Sequence, residues 1–456
     1  MRVVVCGAGQ VGVSIARQLA LEGMDVVVVD QSATLAQRLG DSLDVQTVTG
    51  HAADPNTLEL AGADQADMLI AATVSDEVNM VACQVAHSLF GVPKKIARVR
   101  TQGYLTERSR SMFARDHMPI DVIISPEAEV ARAVTRRVTA PGAFEMIPLM
   151  DGLARLIGVR IGDDCPVINT PLRQLTALFP DLQITAIGIA RGDRYFVPDP
   201  NDQIFPKDRV YFIAATAHMD RAMAAFGFEA QQTRRVLIIG GGNIGLMIGE
   251  ALTSGSLAVR VIERDQVQAE NAAQALPGAI VINGDALEPE ILEEAGAQAS
   301  DTAITVTNDD QTNILASLMA KRVGTERTIA LINRASFSTL VSPLDIDVVV
   351  NPRDITISTI LRHVRRGRVR EVHSIGDGFG EVLEIDALAT SSIVNKTISE
   401  INMPEGAIVG AILRDGKIEM PKPTASIREG DRVVLFAEER VVRKVERLFE
   451  VRIEFF

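Results

Sequence analysis

Two stretches of the sequence decide the fold, and the first is Val3-Val4-Val5-Cys6-Gly7-Ala8-Gly9-Gln10-Val11-Gly12. An apolar run that leads directly into Gly-x-Gly-x-x-Gly is typical of a strand, a tight turn and a helix. In this pattern Gly7 permits the turn, Gly9 lets a phosphate approach the backbone, and Gly12 lets the helix pack on the strand. Asp30 ends the next apolar run, about 20 residues further on, where such folds place an acid. The alternative is that the glycines form a tight turn and nothing more.

The second stretch repeats the first. Gly240-Gly241-Gly242-Asn243-Ile244-Gly245 repeats the glycine loop, and Glu263 repeats Asp30 at the same spacing. Further residues recur in the same order: Asp76 and Asn79 as Asp310 and Asn313, residues 120–126 as 346–352, and residues 208–214 as 431–437. The chain is therefore predicted to be a tandem duplication of one long unit, not a solenoid of short repeats.

Each unit divides into two segments. In the first segment, short Val- and Ile-rich runs alternate with helical stretches, which predicts a parallel sheet with helices on both faces. After residues 141–142 the pattern changes to short strands, with hairpin turns at 191–194 and 414–417. The predicted fold class is α/β: two Rossmann-type doubly wound lobes, each followed by a small α+β lobe. We name these the first Rossmann lobe (1–138), the first small lobe (139–230), the second Rossmann lobe (231–366) and the second small lobe (367–456).

Composition and charge exclude several classes of protein. The 456 residues carry 46 Lys and Arg against 59 Asp and Glu, and the net charge of −13 disfavours binding to nucleic acid. Cys6, Cys83 and Cys165 show no zinc-like spacing, so buried free thiols and no metal site are expected. The start of the chain lacks a signal-peptide pattern, and no apolar stretch reaches the ~20 residues of a membrane span. A cytoplasmic protein is expected.

Ligands of doubly wound folds bind at the carboxyl ends of the strands, which predicts the rest of each site. Asp30 and Glu263 would accept hydrogen bonds from ribose hydroxyls and repel a 2′-phosphate, which favours NAD(H) or ATP/ADP over NADP(H). Arg98 would bind phosphate or, alternatively, form a surface ion pair. The aligned stretch of the second copy, Ala330-Leu331-Ile332-Asn333-Arg334, has no arginine at the equivalent position, so the two sites are expected to be inequivalent. The predicted first site consists of Gly7, Ala8, Gly9, Gln10, Val11, Gly12, Asp30, His51, Thr73, Val74 and Arg98, and the second of Gly240, Gly241, Gly242, Asn243, Ile244, Gly245, Glu263, Asp285, Thr307 and Asn308.

No catalytic pattern accompanies these sites. The six histidines form no recurring constellation, and the sequence contains no His-Glu-x-x-His, no Gly-x-Ser-x-Gly and no P-loop. Nucleotide binding without a lobe that carries chemistry favours a sensor over an enzyme. The alternative is an NAD-dependent oxidoreductase with an unrecognised catalytic lobe. A basic cluster is either a solvated helix face or a contact for an acidic partner or lipid head groups, and it consists of Arg362, Arg365, Arg366, Arg368 and Arg370.

The motifs resemble those of the TrkA family of potassium-uptake regulatory proteins. The resemblance covers the whole chain and rests on both glycine loops, on Asn79-Met80-Val81-Ala82-Cys83-Gln84-Val85-Ala86 and on Val306-Thr307-Asn308-Asp309-Asp310. It implies paired RCK (or KTN) modules that bind NAD(H) and ATP/ADP in their Rossmann lobes through the residues named above. It also implies a homotetrameric ring docked beneath a TrkH-type potassium-translocating subunit, on the inner face of the cell membrane. Nucleotides would gate that subunit by binding one ring geometry better than another.

Overall fold

In the computed structural model, contacts divide the chain into two units. The first comprises Met1–Val130 with Asn351–Arg365, and the second comprises Ala131–Val350 with Arg366–Phe456. The structure describes residues 1–140, 142–178, 183–192, 194–228, 233–255, 257–334, 337, 341, 344–364, 369–376 and 378–449. Within those ranges no helix has the length and apolar character to span a membrane.

The first unit contains a parallel sheet that carries the first glycine loop. Its strands are β1 Arg2–Cys6, β2 Asp25–Asp30, β3 Gln46–Thr49, β4 Met68–Ala71, β5 Lys94–Arg98 and β6 Val122–Ile124. Their order in the sheet is β3-β2-β1-β4-β5-β6, which is the order of a dinucleotide-binding Rossmann fold. Val4 and Leu69 in the central strands are fully buried because helices cover both faces, as the apolar runs predicted.

Helices connect these strands and cover the sheet. They are α1 Gln10–Leu21, α2 Ala33–Ser42, α3 Pro55–Leu60, α4 Asp76–Ser88, α5 Gln102–Leu105 and α6 Glu107–Arg110. The next helix, α7 Pro126–Val138, follows the last strand, and its residues from Ala131 onward belong to the second unit. Capping explains several starts. The Ser32 hydroxyl accepts from the Leu35 N–H at the start of α2, and the Ser75 hydroxyl accepts from the Val78 N–H at the start of α4.

The second unit contains a matching parallel sheet. Its strands are β12 Arg235–Ile239, β13 Ala258–Glu263, β14 Ala279–Asn283, β15 Thr302–Thr305, β16 Arg327–Leu331 and β17 Val348–Val350. The order is β14-β13-β12-β15-β16-β17, the same as in the first sheet. The described helices of this lobe are α10 Asn243–Thr253, α11 Gln266–Ala275, α12 Pro289–Glu294 and α13 Asp310–Val323. The predicted duplication of a Rossmann-type lobe is confirmed.

Two small antiparallel sheets also lie in the second unit. One contains β7 Ala143–Leu149, β8 Ala154–Arg160, β9 Ile184–Arg191, β10 Arg194–Phe196 and β11 Arg209–Ala215, with helices α8 Leu172–Leu178 and α9 Met219–Ala225. The other contains β18 Val369–Ile375, β19 Gly380–Asp386, β20 Ala407–Arg414, β21 Lys417–Glu419 and β22 Arg432–Glu438. The orders are β10-β9-β11-β8-β7 and β18-β19-β22-β20-β21, so the predicted α+β lobes and the hairpins β9–β10 and β20–β21 are confirmed.

The two small lobes pack face to face around one shared core. Ile213 and Tyr211 of the first small lobe lie in the same buried cluster as Val434 and Phe436 of the second. Gly410 allows this close approach, because a Cβ at that position would lie only 2.2 Å from the Cδ1 of Ile213. The apolar faces that each small sheet could not bury alone are therefore buried by the other copy.

Helices near the ends of the Rossmann lobes pack on the opposite copy. Helix α14 Pro352–Val364 packs against α1, and its Ile360 joins the core around Val3 in the first unit. In the same unit the Lys94 ammonium donates to the carbonyl oxygen of His363. The second unit repeats this contact, since Arg327 donates to the carbonyl oxygen of Arg137 at 2.8 Å. The domain boundaries given above remain a prediction, and this exchange of helices could not be predicted from the sequence.

The basic cluster is only partly covered by the described residues. Arg370 lies in β18 and forms an ion pair with Asp386, with 2.6 Å between Nε and Oδ2. Arg365, Arg366 and Arg368, and the side chain of Arg362, lie outside the described residues. The last described helix is α15 Val442–Leu448, which packs on β22.

Candidate nucleotide sites

The first glycine loop leaves open space beside the backbone at the start of α1. Gly7 has a φ of +110°, and a Cβ there would lie 3.0 Å from the carbonyl oxygen of Ala72. A Cβ at Gly12 would lie 1.8 Å from the carbonyl oxygen of Gly7, so only glycine lets α1 begin this close to β1. A Cβ at Gly9 would meet no atom within 4 Å. Because no side chain caps α1 at Gly9, the first N–H groups of the helix can bind an anion.

Asp30, the last residue of β2, is held against this loop. Its Oδ2 accepts a hydrogen bond from the Ala8 N–H at 2.6 Å, and its Oδ1 accepts one from the Ser32 N–H at 2.8 Å. Each carboxylate oxygen can accept two hydrogen bonds, so the anchored carboxylate can still accept from a ribose hydroxyl. The loop after β3 lies beside it, because the Gly50 N–H donates to the Asp30 carbonyl oxygen at 3.0 Å.

A buried asparagine in α4 joins the ends of β4 and β5. The Asn79 Oδ1 accepts from the N–H and the hydroxyl of Thr73 at 2.8 and 2.7 Å, and the Asn79 Nδ2 donates to the carbonyl oxygen of Arg98 at 2.9 Å. Asn79 therefore positions two of the predicted site residues. It was not itself predicted as a residue of the site, although its recurrence as Asn313 was a signal that could have identified it.

Asp76 has a similar role near the start of α4. Both of its carboxylate oxygens accept from the Arg100 N–H at 3.0 Å, and one also accepts from the Thr101 N–H at 2.8 Å. Asp76 thus fixes the chain that leaves β5. Its counterpart Asp310 does the same in the second copy, and neither was predicted as a site residue.

The Arg98 side chain, at the end of β5, is partly buried and has unused donors. Its Nη1 lies 3.5 Å from the carbonyl oxygen of Thr73, and its buried Nε has no acceptor among the described residues. Burial lowers the pKa of this guanidinium, an effect that the charge of Glu127 opposes. Guanidinium donors at the carboxyl edge of the sheet can bind an anionic group such as a phosphate.

The second Rossmann lobe repeats the loop and its anchored acid. Gly240 has a φ of +111°, and a Cβ at Gly245 would lie 1.9 Å from the carbonyl oxygen of Gly240. The Glu263 Oε2 accepts from the Gly241 N–H at 2.7 Å, and its Oε1 accepts from the Asp265 N–H at 2.9 Å. The acid is longer than Asp30, yet its carboxylate binds the two equivalent N–H groups.

The two sites differ at the end of the fifth strand. The Asn313 Oδ1 accepts from the Thr307 N–H at 2.9 Å, and its Nδ2 donates to the carbonyl oxygen of Leu331 at 2.9 Å. Leu331 therefore occupies the position that Arg98 has in the first copy, and it is buried. The predicted inequivalence of the two sites has this structural basis, since leucine offers no donor to a phosphate.

The remaining predicted residues lie at the same edges of the sheets, with smaller roles. Val74 is 83% exposed in the loop after β4. The His51 Nδ1 accepts from the Ala53 N–H at 3.3 Å, and the Asp285 Oδ1 accepts from the Leu287 N–H at 2.9 Å, so both side chains stabilise their own turns. The others have these positions: Gln10 and Val11 in the first turn of α1, Asn243 and Ile244 in the first turn of α10, Gly242 before α10, and Asn308 exposed after β15.

A large cleft lies elsewhere in the second unit and is not the predicted site. It measures about 1500 Å³ and borders the amino ends of the strands, including Arg235, Thr302 and Val348. Its carboxylate Asp301 already accepts from the N–H groups of Arg234 and Arg235. Ligands of doubly wound sheets bind at the carboxyl ends, where the glycine loops lie, so the predicted sites are separate from this cleft.

Other reactive groups are scarce in the described ranges. Cys6, Cys83 and Cys165 are buried free thiols, as predicted, and burial raises the pKa of Cys6 to about 12. The described residues contain no group of three or more His, Cys, Asp and Glu side chains placed to hold a metal ion.

Each Rossmann lobe has an open glycine loop, an anchored acid and a hydrogen-bonded Thr–Asn pair, which is Thr73–Asn79 in the first lobe and Thr307–Asn313 in the second. Together these features define a protein of the duplicated Rossmann-module class. Comparison with known sequences identifies the family. The family model for the TrkA-N domain matches residues 3–126 and 236–352, and the model for the TrkA-C domain matches residues 156–227 and 382–450. The chain belongs to the TrkA family.

A known sequence supports the family, and two solved structures support the fold. The Trk system potassium uptake protein TrkA of Azorhizobium caulinodans is 48% identical over 458 residues, which covers 100% of both chains. The crystal structure of the GsuK RCK domain has a TM-score of 0.63 at 19% identity and covers 98% of this chain and 94% of that one. The GsuK channel bound to NAD has a TM-score of 0.62 at 18% identity, covering 98% of this chain and 78% of that one. The predicted tandem RCK fold is confirmed.

Proposed function

We propose that this chain is the nucleotide-sensing regulatory subunit of a Trk-type potassium uptake system. The observation that carries the proposal is the presence of two complete sets of glycine loop, anchored acid and Thr–Asn pair, one in each Rossmann lobe. The GsuK channel, which has the same fold, is described as bound to NAD. The ligands proposed here are NAD(H) and ATP/ADP.

The first site fits such a ligand. Gly9 leaves room for a phosphate beside the free N–H groups of α1, and Arg98 supplies guanidinium donors that are not fully used within the protein. Asp30 would accept hydrogen bonds from the adenosine ribose and repel a 2′-phosphate. In the second site Leu331 replaces the arginine, so the phosphates would lack this guanidinium and would bind the backbone N–H groups at the start of α10. We therefore propose that the first site is better suited to a dinucleotide.

Gating requires that nucleotides bind two states of the assembly with different affinities. A ligand can shift a conformational equilibrium only by its differential affinity, and typical couplings of ~1–3 kcal/mol change the equilibrium about 5- to 150-fold. The helices α7 and α14 connect each Rossmann lobe to its small lobe, so a change at a glycine loop has a direct route along the chain. The chain would act at the inner face of the cell membrane through a TrkH-type subunit that conducts potassium.

Replacing Arg98 with leucine tests this proposal, because it gives the first site the residue of the second. In a Gly242→Glu background, which restricts binding to the first lobe, we expect affinity for NADH and ATP to fall about 10- to 100-fold. Potassium flux through the membrane subunit, measured in vesicles, should then respond only at correspondingly higher nucleotide concentrations. The control is Arg100→Leu, since the Arg100 guanidinium is already paired with Glu127 at 2.8 Å. If potassium flux with the unmodified protein does not change when nucleotide is added, the proposal is contradicted. Turnover of NADH with carbonyl compounds would favour the oxidoreductase alternative.

We also propose that four chains form a ring through helices α4 and α13. Val81 on α4 is 43% exposed, and Leu315, the equivalent residue of α13, is 50% exposed. Partly buried Val85 and Met319 lie one turn further along the same helices. Apolar side chains exposed at equivalent positions of two modules are expected where modules contact each other repeatedly.

Aspartate at both positions should break the ring. Val81→Asp with Leu315→Asp places charges in each proposed contact, and we expect light scattering to show a species smaller than a tetramer. Leu60→Asp is the matched control, because Leu60 is 77% exposed and lies on α3, not on α4 or α13. A tetramer that persists in the double variant would show that the ring assembles through another surface.

A further inference from the structure

The two acids at the ends of β2 and β13 differ in length but not in what they bind. Asp30 binds the N–H of Ala8 and of Ser32, and Glu263 binds the N–H of Gly241 and of Asp265. The four distances lie between 2.6 and 2.9 Å. The extra methylene of Glu263 therefore does not move its carboxylate away from the glycine loop.

The second residue of each loop explains how this is possible. In the first copy that residue is Ala8, which is buried, and in the second it is Gly241. A Cβ at Gly241 would lie 3.1 Å from the Cβ, 3.2 Å from the Cγ and 3.3 Å from the Oε2 of Glu263. These distances are shorter than ordinary van der Waals contacts, so an alanine here would displace the glutamate by a few tenths of an ångström. The longer acid thus lies where an alanine methyl group would crowd it.

We infer that Ala8 with Asp30 and Gly241 with Glu263 are two matched pairs, each of which sets its carboxylate in the position that recognises the ribose of the nucleotide. This inference rests on the proposed function and names Gly241 and Ala8 as positioning residues for ribose recognition. It also separates two properties of the sites. Ribose recognition is the same in both lobes, whereas phosphate recognition differs through Arg98 and Leu331.

An exchange of the second pair tests the inference. In a Gly9→Glu background, which restricts binding to the second lobe, ATP and 2′-deoxy-ATP are titrated into four full-length chains. These carry the native pair, Gly241→Ala, Glu263→Asp, or both substitutions. We expect each single variant to bind ATP about 10-fold more weakly and to lose preference over 2′-deoxy-ATP, because the carboxylate is displaced or falls short of its donors. The double variant recreates the first pair, and both its affinity and its preference should return to within about 3-fold of the native values.

The possible outcomes separate this inference from the function on which it rests. One outcome is that the native pair binds ATP while the affinity of the double variant falls by the product of the two single decreases. In that case residues 241 and 263 act independently and the inference is wrong. If the native pair binds no ATP in this background, both the nucleotide role of the second lobe and the inference fail. The preference for ATP over 2′-deoxy-ATP is the decisive measurement, since a purely structural effect of the substitutions would lower the affinity for both ligands equally.

Discussion

Replacing Gly9 with glutamate is expected to abolish nucleotide binding by the first Rossmann lobe and to leave the lobe folded. A Cβ at Gly9 meets no atom within 4 Å, so the new side chain enters the space proposed for the phosphates without disturbing the protein. A carboxylate before the first turn of α1 is compatible with the helix but repels a phosphate. The lost contact and the repulsion together should weaken binding at least about 100-fold, or about 3 kcal/mol. Calorimetric titration of NADH and ATP, with circular dichroism, measures both effects.

Two further variants show whether the effect is local to the site. Gly9→Ala adds a small group in the same open space and should weaken binding less than glutamate does. Gly12→Ala should instead damage the fold, because its Cβ would lie 1.8 Å from the carbonyl oxygen of Gly7. When Gly9→Glu is combined with its counterpart Gly242→Glu, the chain should still assemble, while potassium flux should no longer respond to nucleotide. A flux response that survives in this double variant would disprove gating through the glycine loops.

Removing Arg432 is expected to destabilise the contact between the small lobes. The Arg432 guanidinium lies 3.0 Å from the Glu384 Oε1, and the other oxygen of Glu384 accepts from the Met150 N–H of the first small lobe at 2.8 Å. Glu384 is only 2% exposed, and its burial raises its pKa, opposed by the Met150 N–H and by Arg432. Arg432→Ala would leave a buried carboxylate without its cation, which costs about 3 kcal/mol. Thermal unfolding and hydrogen exchange in β19 and β22 would show this loss.

The equivalent residue of the first small lobe provides a control. Arg209 donates to the Tyr195 hydroxyl at 2.6 Å and stacks over its ring, and it forms no ion pair with a carboxylate of the described residues. Arg209→Ala should therefore cost no more than about 1 kcal/mol. Equal losses in the two variants would show that the charge of Glu384 is not what Arg432 stabilises.

The same pair predicts a dependence on pH. Because the pKa of Glu384 in the folded protein is raised above its unfolded value, its ionisation disfavours folding, and stability falls as pH rises through the folded pKa. Without Arg432 that pKa should rise further. The destabilisation by Arg432→Ala should therefore be largest at neutral pH and decrease in mild acid, where Glu384 becomes protonated. A loss that is constant with pH would contradict this assignment.

Much of the candidate site could be predicted from the sequence because its components are local. The glycine loops, Asp30 and Glu263 follow from close spacing in the chain, and the structure places each at the carboxyl edge of a parallel sheet. Arg98 could be predicted because it is the last residue of β5, and ligands of such folds bind at the carboxyl ends of the strands. His51 and Asp285 remain predicted site residues, and in the structure each side chain also accepts a hydrogen bond within its own turn, which spacing alone does not reveal.

The positioning residues could not be predicted because their function depends on contacts between distant segments. Asn79 binds backbone groups of Thr73 and Arg98, which meet only when β4 and β5 lie side by side. The pairing of Gly241 with Glu263 likewise depends on a distance across the sheet. Recurrence in both copies indicated that Asn79 mattered, but it did not indicate its role.

The sequence by itself determined that the chain is a duplicated Rossmann-type module, because glycine spacing and apolar periodicity are properties of neighbouring residues. It also determined that the two sites differ, because the arginine at the end of β5 has no counterpart. Only the tertiary structure decided that α14 completes the first lobe, that the two small sheets share one core, and that Arg432 neutralises Glu384 inside that contact. The two copies carry nearly the same local pattern, so the pattern does not state which copy covers which apolar face. Burial of those faces against one another makes that choice.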